Sequence, residues 1–209
     1  MAPMGGRPTL LACAALVAAT VEGLGQQPST STTVRANPAV VLTADCSRAA
    51  TGGGPGGRPS PDAIKICQAA VAAADAASTE ATYERQGSRT YLADSYMFAQ
   101  RWSEAIPMYR AAMDIAIKSG RSDTTRYLRG IAAAQANLGD LSAADQTAGS
   151  AVSQKEKLLA GASSPDDRTI HSIELRSIYA LATQIKRLRG DVAGAATLEA
   201  RAAALAKPR

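Results

Sequence analysis

From Ser60 onward the chain consists of alanine-rich apolar stretches separated by short polar breaks. Alanine is the best helix former and is depleted from strands. No long alternation of Val, Ile, Thr and Tyr, which would indicate a strand, occurs anywhere in the sequence. The pattern therefore predicts an all-α fold of about seven helices without strands.

The polar breaks carry signals for the starts and ends of helices. Ser60-Pro61-Asp62 offers an N-cap, a proline for the first helical position and an acid for the first turn, and residues 164–167 repeat this order. Gly139 and Gly190 can adopt the left-handed conformation that ends a helix. These signals predict helices near residues 61–77, 79–99, 103–119, 124–138, 142–160, 165–189 and 192–206. Pro107 lies near the start of the third predicted helix. A proline costs little stability in the first turn of a helix and much more beyond it.

The N-terminus has the pattern of a secretory signal peptide over residues 1–25. Arg7 precedes an uncharged run over residues 8–21, which is long enough for a signal sequence and too short to span a bilayer. Small residues at Gly23 and Gly25 suit cleavage after Gly25. Two alternatives stay open: an apolar helix kept in the mature protein, and a lipid anchor at Cys13.

Residues 26–60 are rich in Ser, Thr, Gly and Pro and are expected to form a flexible segment without packed elements. The glycines at 52–57 do not match a phosphate loop, because no Gly-Lys-Ser/Thr follows them and no apolar strand precedes them. After cleavage the chain keeps Cys46 and Cys67, which can form one disulfide in an oxidising compartment. Closing this loop would stabilise the fold by about 3 kcal/mol in the loop-entropy model.

The composition argues against nucleic-acid binding and against metal binding. The formal net charge is +5 and aromatic residues make up 4% of the chain. Nucleic-acid binders usually concentrate basic charge on one face beside aromatic residues or a known motif, and neither is evident, so no nucleic-acid partner is predicted. The two cysteines and the single histidine, His171, are too scattered for a metal site, and no cofactor is predicted.

One sequence frame recurs after the breaks. Residues 139–144 and 190–195 both read Gly-Asp-apolar-small-small-Ala, and residues 100–105 fit the same frame. The frame and the small or aromatic residues around it resemble the tetratricopeptide repeat, a helix-turn-helix unit of about 34 residues. The residues that match the packing positions are Leu92, Ala93, Tyr96, Trp102, Ala105, Tyr109 and Ala112; then Ile131, Ala132, Gly139, Leu141, Ala144, Ala148 and Ala151; then Tyr179, Ala182, Gly190, Val192, Ala195 and Ala202.

The resemblance implies a right-handed α-solenoid of antiparallel helix hairpins over residues 61–206, with helices longer than usual for the family. It also implies a concave binding face lined by the first helix of each repeat. The groove positions of the family fall on Thr90, Asp94, Met97, Phe98, Arg126, Arg129, Ala133, Asn137, Gln184, Arg187 and Leu188.

Among these positions, Arg126 and Arg129 lie three residues apart and share a helix face. With Asn137 and Arg187 they could bind a carboxylate or an acidic peptide, and Asp94 and Phe98 are the further candidate contacts. The alternative is an ordinary solvated helix face. The carboxylate clamp known from the family is not reproduced in this sequence, so a C-terminal peptide ligand is not implied.

The sequence contains few residues whose type and spacing indicate a catalytic site. His171 lies early in a predicted helix without a recognisable nucleophile motif, and Asp166 and Asp167 fit the charge preference of a helix start. Arg189-Gly190-Asp191 spells an adhesion tripeptide, but the turn of the repeat already explains it.

The sequence therefore predicts a non-catalytic adaptor or scaffold of the cell envelope. Its localisation is predicted to be periplasmic or secreted, and its partner a protein or peptide, in particular an acidic one. The alternatives are a hydrolytic enzyme with an acidic and arginine-containing site in the groove, and a self-assembling structural protein.

Overall fold

The computed structural model describes residues 37–53, 57–77 and 81–205, and these form eight α-helices and no strand. The helices are α1 (Pro38–Thr51), α2 (Ala63–Ala76), α3 (Thr82–Phe98), α4 (Trp102–Lys118), α5 (Thr125–Asn137), α6 (Leu141–Gly161), α7 (Pro165–Leu188) and α8 (Val192–Ala204). The predicted all-α class is confirmed, and helices α2 to α8 correspond to the seven predicted helices to within a few residues. The predicted signal peptide lies outside the described residues.

Helix α1 corrects the prediction that residues 26–60 lack packed elements. The side chain of Asn37 accepts a hydrogen bond from the Ala39 amide, Pro38 occupies the first turn, and Gly52 ends the helix with a φ of 63°. Ala39 and Cys46 are buried on its inner face. The helix forms because its N-cap, proline and left-handed glycine act together, even though the flanking residues have the composition of a linker.

One turn geometry recurs at the ends of five described helices, and at three of these ends it leads within two residues into the next helix, α4, α6 or α8. Gln100, Gly139 and Gly190 all have positive φ, and the amide of the next residue donates to a carbonyl five residues back, as in the Schellman motif. Asp140 and Asp191 then cap α6 and α8 by accepting from the amides of Ala143 and Gly194. The recurring sequence frame is therefore a recurring turn structure.

The helices are arranged as a chain of sequential neighbours. Each helix packs on the next, and α1 also contacts α3, α3 contacts α5, and α5 contacts α7. Among the described residues the backbones of the even-numbered helices do not pack on one another, and α6 and α8 meet through the ion pair of Arg201 with Glu156. The odd-numbered helices thus adjoin one another, an arrangement compatible with a helical repeat.

Small side chains occupy the helix contacts. Ala105, Ala112 and Ala116 of α4 are completely buried, which lets neighbouring helix axes approach closely.

The predicted disulfide is present between Cys46 and Cys67, and it joins α1 to α2 inside the core. Pro107 lies inside α4 beyond its first turn, so this helix lacks one backbone hydrogen bond.

Candidate functional site

A row of polar side chains crosses three odd-numbered helices. Arg126 of α5 donates to Asp94 Oδ2 of α3 at 2.8 Å, and Arg129 of α5 donates to Ser177 Oγ of α7 at 2.9 Å. Because Arg126 and Arg129 share one side of α5, these four residues form one continuous surface. We call it the odd-helix face.

Asp94 is fully engaged within this face. Its second oxygen accepts a hydrogen bond from Tyr109 Oη at 2.5 Å. Burial and the Asp94 charge raise the pKa of Tyr109, so the phenol stays protonated and donates. Burial by itself would lower the pKa of Arg126, but the charge and hydrogen bond of Asp94 outweigh it and raise the pKa. The Asp94–Arg126 pair is therefore a neutralised, fixed part of the surface.

Arg129 differs from Arg126 because its partner is a hydroxyl. Among the residues that the structure describes, Arg129 has no carboxylate partner, and it is exposed. Its charge is not neutralised locally, and its bond to Ser177 leaves other guanidinium donors available. The arrangement can therefore accept an anionic group at the α5–α7 junction.

The other predicted contacts lie elsewhere or have other partners. Asn137 donates to the Ala133 carbonyl of its own helix, and Arg187 pairs with Glu199 of α8. Phe98 is exposed at the end of α3. Thr90 is buried and donates to a backbone carbonyl, so this expected groove position does not reach the surface. The structure thus joins Asp94 to Arg126, and gives Arg129, Asn137 and Arg187 separate partners.

A second polar cluster surrounds Lys155, which the sequence prediction missed. The Lys155 side chain is completely buried in α6, and its ammonium lies 2.5 Å from Asp123 Oδ2 and 2.6 Å from Glu174 Oε2. Asp123 lies in the α4–α5 connection and Glu174 in α7. Thr125 also donates to the other oxygen of Asp123. Burial alone would raise the pKa of Asp123, but the bonds from Lys155 and Thr125 outweigh it and lower the pKa.

His171 adjoins this cluster. Its Nδ1 is buried without a hydrogen bond and lies 3.8 Å from Glu174 Oε2. The ligand atoms of Asp123, His171 and Glu174 all lie within 4.8 Å of one another, a grouping of the type that can hold a metal ion. However, the Lys155 ammonium already bonds to both carboxylates and supplies the positive charge that a metal would bring.

The sequence contained a signal for Lys155 but none for its partners. Lys155 continues the buried stripe Ala144, Ala148, Ala151 and Val152 at helical spacing, so a cation stands where an apolar residue is expected. A charge on such a stripe requires counter-charges. Asp123 and Glu174 come from distant segments, and only the folded chain identifies them.

Comparisons with known proteins leave the family open. No protein-family model matches the chain, and no curated protein is similar enough to count as a relative. Among the described helices, none is both long and apolar enough to cross a membrane.

Proposed function

We propose that this protein is a non-catalytic adaptor that binds an acidic protein segment or peptide on its odd-helix face. The observation that carries the proposal is Arg129, an exposed guanidinium whose partner is a hydroxyl instead of a carboxylate. A ligand carboxylate could pair with it through a charge-assisted hydrogen bond. The neighbouring Asp94–Arg126 pair would form a rigid edge of this binding site.

The proposed architecture is a right-handed α-solenoid of the tetratricopeptide type. Its support is the recurrence of one turn geometry before α4, α6 and α8, together with the contacts among odd-numbered helices. In such an array each hairpin buries its apolar face against its neighbours, and the first helices line a concave surface.

The proposed localisation is periplasmic or extracellular. The disulfide between Cys46 and Cys67 supports it, because structural disulfides persist in oxidising compartments. Fractionation of cells that express the full chain, followed by N-terminal sequencing, tests this part. A reduced protein in the cytosol with its first residues intact would contradict it.

The binding proposal is tested with a fluorescent hexaglutamate peptide titrated against the purified protein by anisotropy, at low and high salt. We expect binding that weakens with salt and is lost in Arg129→Gln. Arg110→Gln is the matched control, since Arg110 is an exposed arginine on the even-numbered helix α4. Equal losses in both variants, or no binding by the unaltered protein, would reject the odd-helix face as the site.

A further inference from the structure

The last two helices differ in length. Helix α7 has 24 residues, whereas α8, which packs against it after a tight turn, has 13. Roughly the first three turns of α7 therefore lie beyond the end of α8. Among the residues that the structure describes, this part of α7 contacts α6 and lacks the cover that α8 gives to the rest of the helix.

A groove of about 960 Å³ follows this uncovered part of α7, between α6 and the end of α8. Its apolar lining comes from Leu159, Ile173, Leu175, Tyr179 and Leu205. Ile173 is 61% exposed although it is a large aliphatic side chain. The groove therefore presents apolar surface to water along a helical element, a feature that marks interaction sites.

The charged residues of the groove are predominantly basic. Arg168 and Arg176 line it, and among the described residues neither has a carboxylate partner. The one acidic lining residue, Glu156, already accepts hydrogen bonds from Tyr179 Oη and from Arg201. Burial and Glu156 raise the pKa of Tyr179 to about 12, so this phenol remains a donor. A ligand with acidic groups beside an apolar face would be complementary in charge and polarity to the groove.

We propose that the groove docks an amphipathic helix of a partner protein, with an apolar face against Ile173 and acidic residues toward Arg168 and Arg176. The uncovered length of α7 suits a helix of about three turns packed alongside it, as α8 packs on the rest of α7. Residues 206–209 of this chain read Ala-Lys-Pro-Arg, and their basic charge does not match the basic walls of the groove. A second copy is disfavoured by the net charge of +5.

This site goes beyond the odd-helix face, because it uses different residues and requires an apolar contact. The probe is a labelled synthetic helix with leucines on one face and glutamates elsewhere. A peptide of the same composition in scrambled order serves as the ligand control. We expect the amphipathic peptide to bind more tightly than the scrambled one.

The variants separate this groove from other apolar surface. Ile173→Glu places a carboxylate in the groove and is expected to weaken binding about tenfold or more. Ile170→Glu is the matched control, since Ile170 is 54% exposed on the same helix but does not line the groove. Arg129→Gln should leave this binding intact, and the uncharged variant Ile173→Ser should leave hexaglutamate binding intact, so each proposal can fail separately.

Three outcomes would overturn the proposal. The first is equal affinity for the amphipathic and scrambled peptides. The second is an equal loss in Ile170→Glu and Ile173→Glu, with circular dichroism showing that both variants fold. The third is concentration-dependent self-association, measured by light scattering and abolished by Ile173→Glu, which would assign the groove to a second copy.

Discussion

The ammonium of Lys155 is completely buried and lies 2.5 Å from Asp123 Oδ2, whereas the Asp123 side chain is 40% exposed. Glu174, the other carboxylate on Lys155, is 48% exposed. Water can therefore solvate the two anions without the lysine, but it cannot solvate the lysine without the anions. The two halves of this cluster should respond differently to mutation.

We expect the double variant Asp123→Asn with Glu174→Gln to lose about 3 to 5 kcal/mol of unfolding free energy, because it leaves a buried charge uncompensated. Lys155→Met should lose less, since its partners can hydrate. Urea unfolding at neutral pH measures both. Adding Lys155→Met to the double variant should recover most of the loss. A triple variant no more stable than the double one would contradict this account.

Low pH should lower the unfolding free energy, because it protonates Asp123. Its folded-state pKa lies below the ordinary value of 3.8, so its contribution to stability is complete at neutral pH. That contribution is lost as the pH falls below about 4 and through the folded-state pKa. In denaturant titrations over this range, Asp123→Asn should lose less stability on acidification than the unaltered protein. Parallel curves would show that this carboxylate does not contribute.

Two helical glycines should respond in opposite directions to alanine. A Cβ at Gly130 of α5 would lie 2.5 Å from the ring of Tyr109, which is buried against it. Gly130→Ala is therefore expected to cost about 1 to 3 kcal/mol through overpacking, and to disturb the bond from Tyr109 to Asp94. Gly149 of α6 has open space at the same point, so Gly149→Ala should stabilise by about 0.5 to 1 kcal/mol. Thermal unfolding of the pair tests the contact, and a gain in both variants would contradict it.

Gln100 has a φ of 59°, although glycine occupies the equivalent turns at 139 and 190. This conformation costs an ordinary residue about 1 to 2 kcal/mol, so we expect Gln100→Gly to raise the unfolding free energy by about 1 kcal/mol. Ala99→Gly is the control, because Ala99 has a φ of −77° and gains nothing from glycine. Chemical denaturation distinguishes the two. An equal or larger gain in Ala99→Gly would rule out relief of strain.

The helices from α2 onward could be predicted because their signals are local, although α2 begins at Ala63 and not at Pro61 after the predicted N-cap Ser60. Ser164 accepts from the Asp167 amide as the predicted N-cap of α7, and Asp140 and Asp191 cap the helices after the left-handed glycines. Helix α1 has similar signals at Asn37 and Pro38. The linker-like composition of the residues around it nevertheless led to the prediction of a segment without helices. Local signals therefore predict helices better than average composition does.

The candidate sites were less predictable because their geometry depends on contacts between helices. The three-residue spacing of Arg126 and Arg129 indicated a shared face, but their different partners, Asp94 and Ser177, depend on how α3 and α7 pack against α5. Lys155 was detectable as a charge on an apolar stripe. Its counter-ions and the uncovered part of α7 follow from helix packing and relative helix length, which no local motif encodes.

The disulfide in the first hairpin makes the two ends of the helical array unequal. In a structure held mainly by contacts between neighbours, unfolding starts at the ends and moves inward. The bond between Cys46 and Cys67 ties α1 to α2, while α8 has no covalent tie beyond its own chain connection. Among the described helices of the oxidised protein, α8 should therefore unfold before α1 and α2.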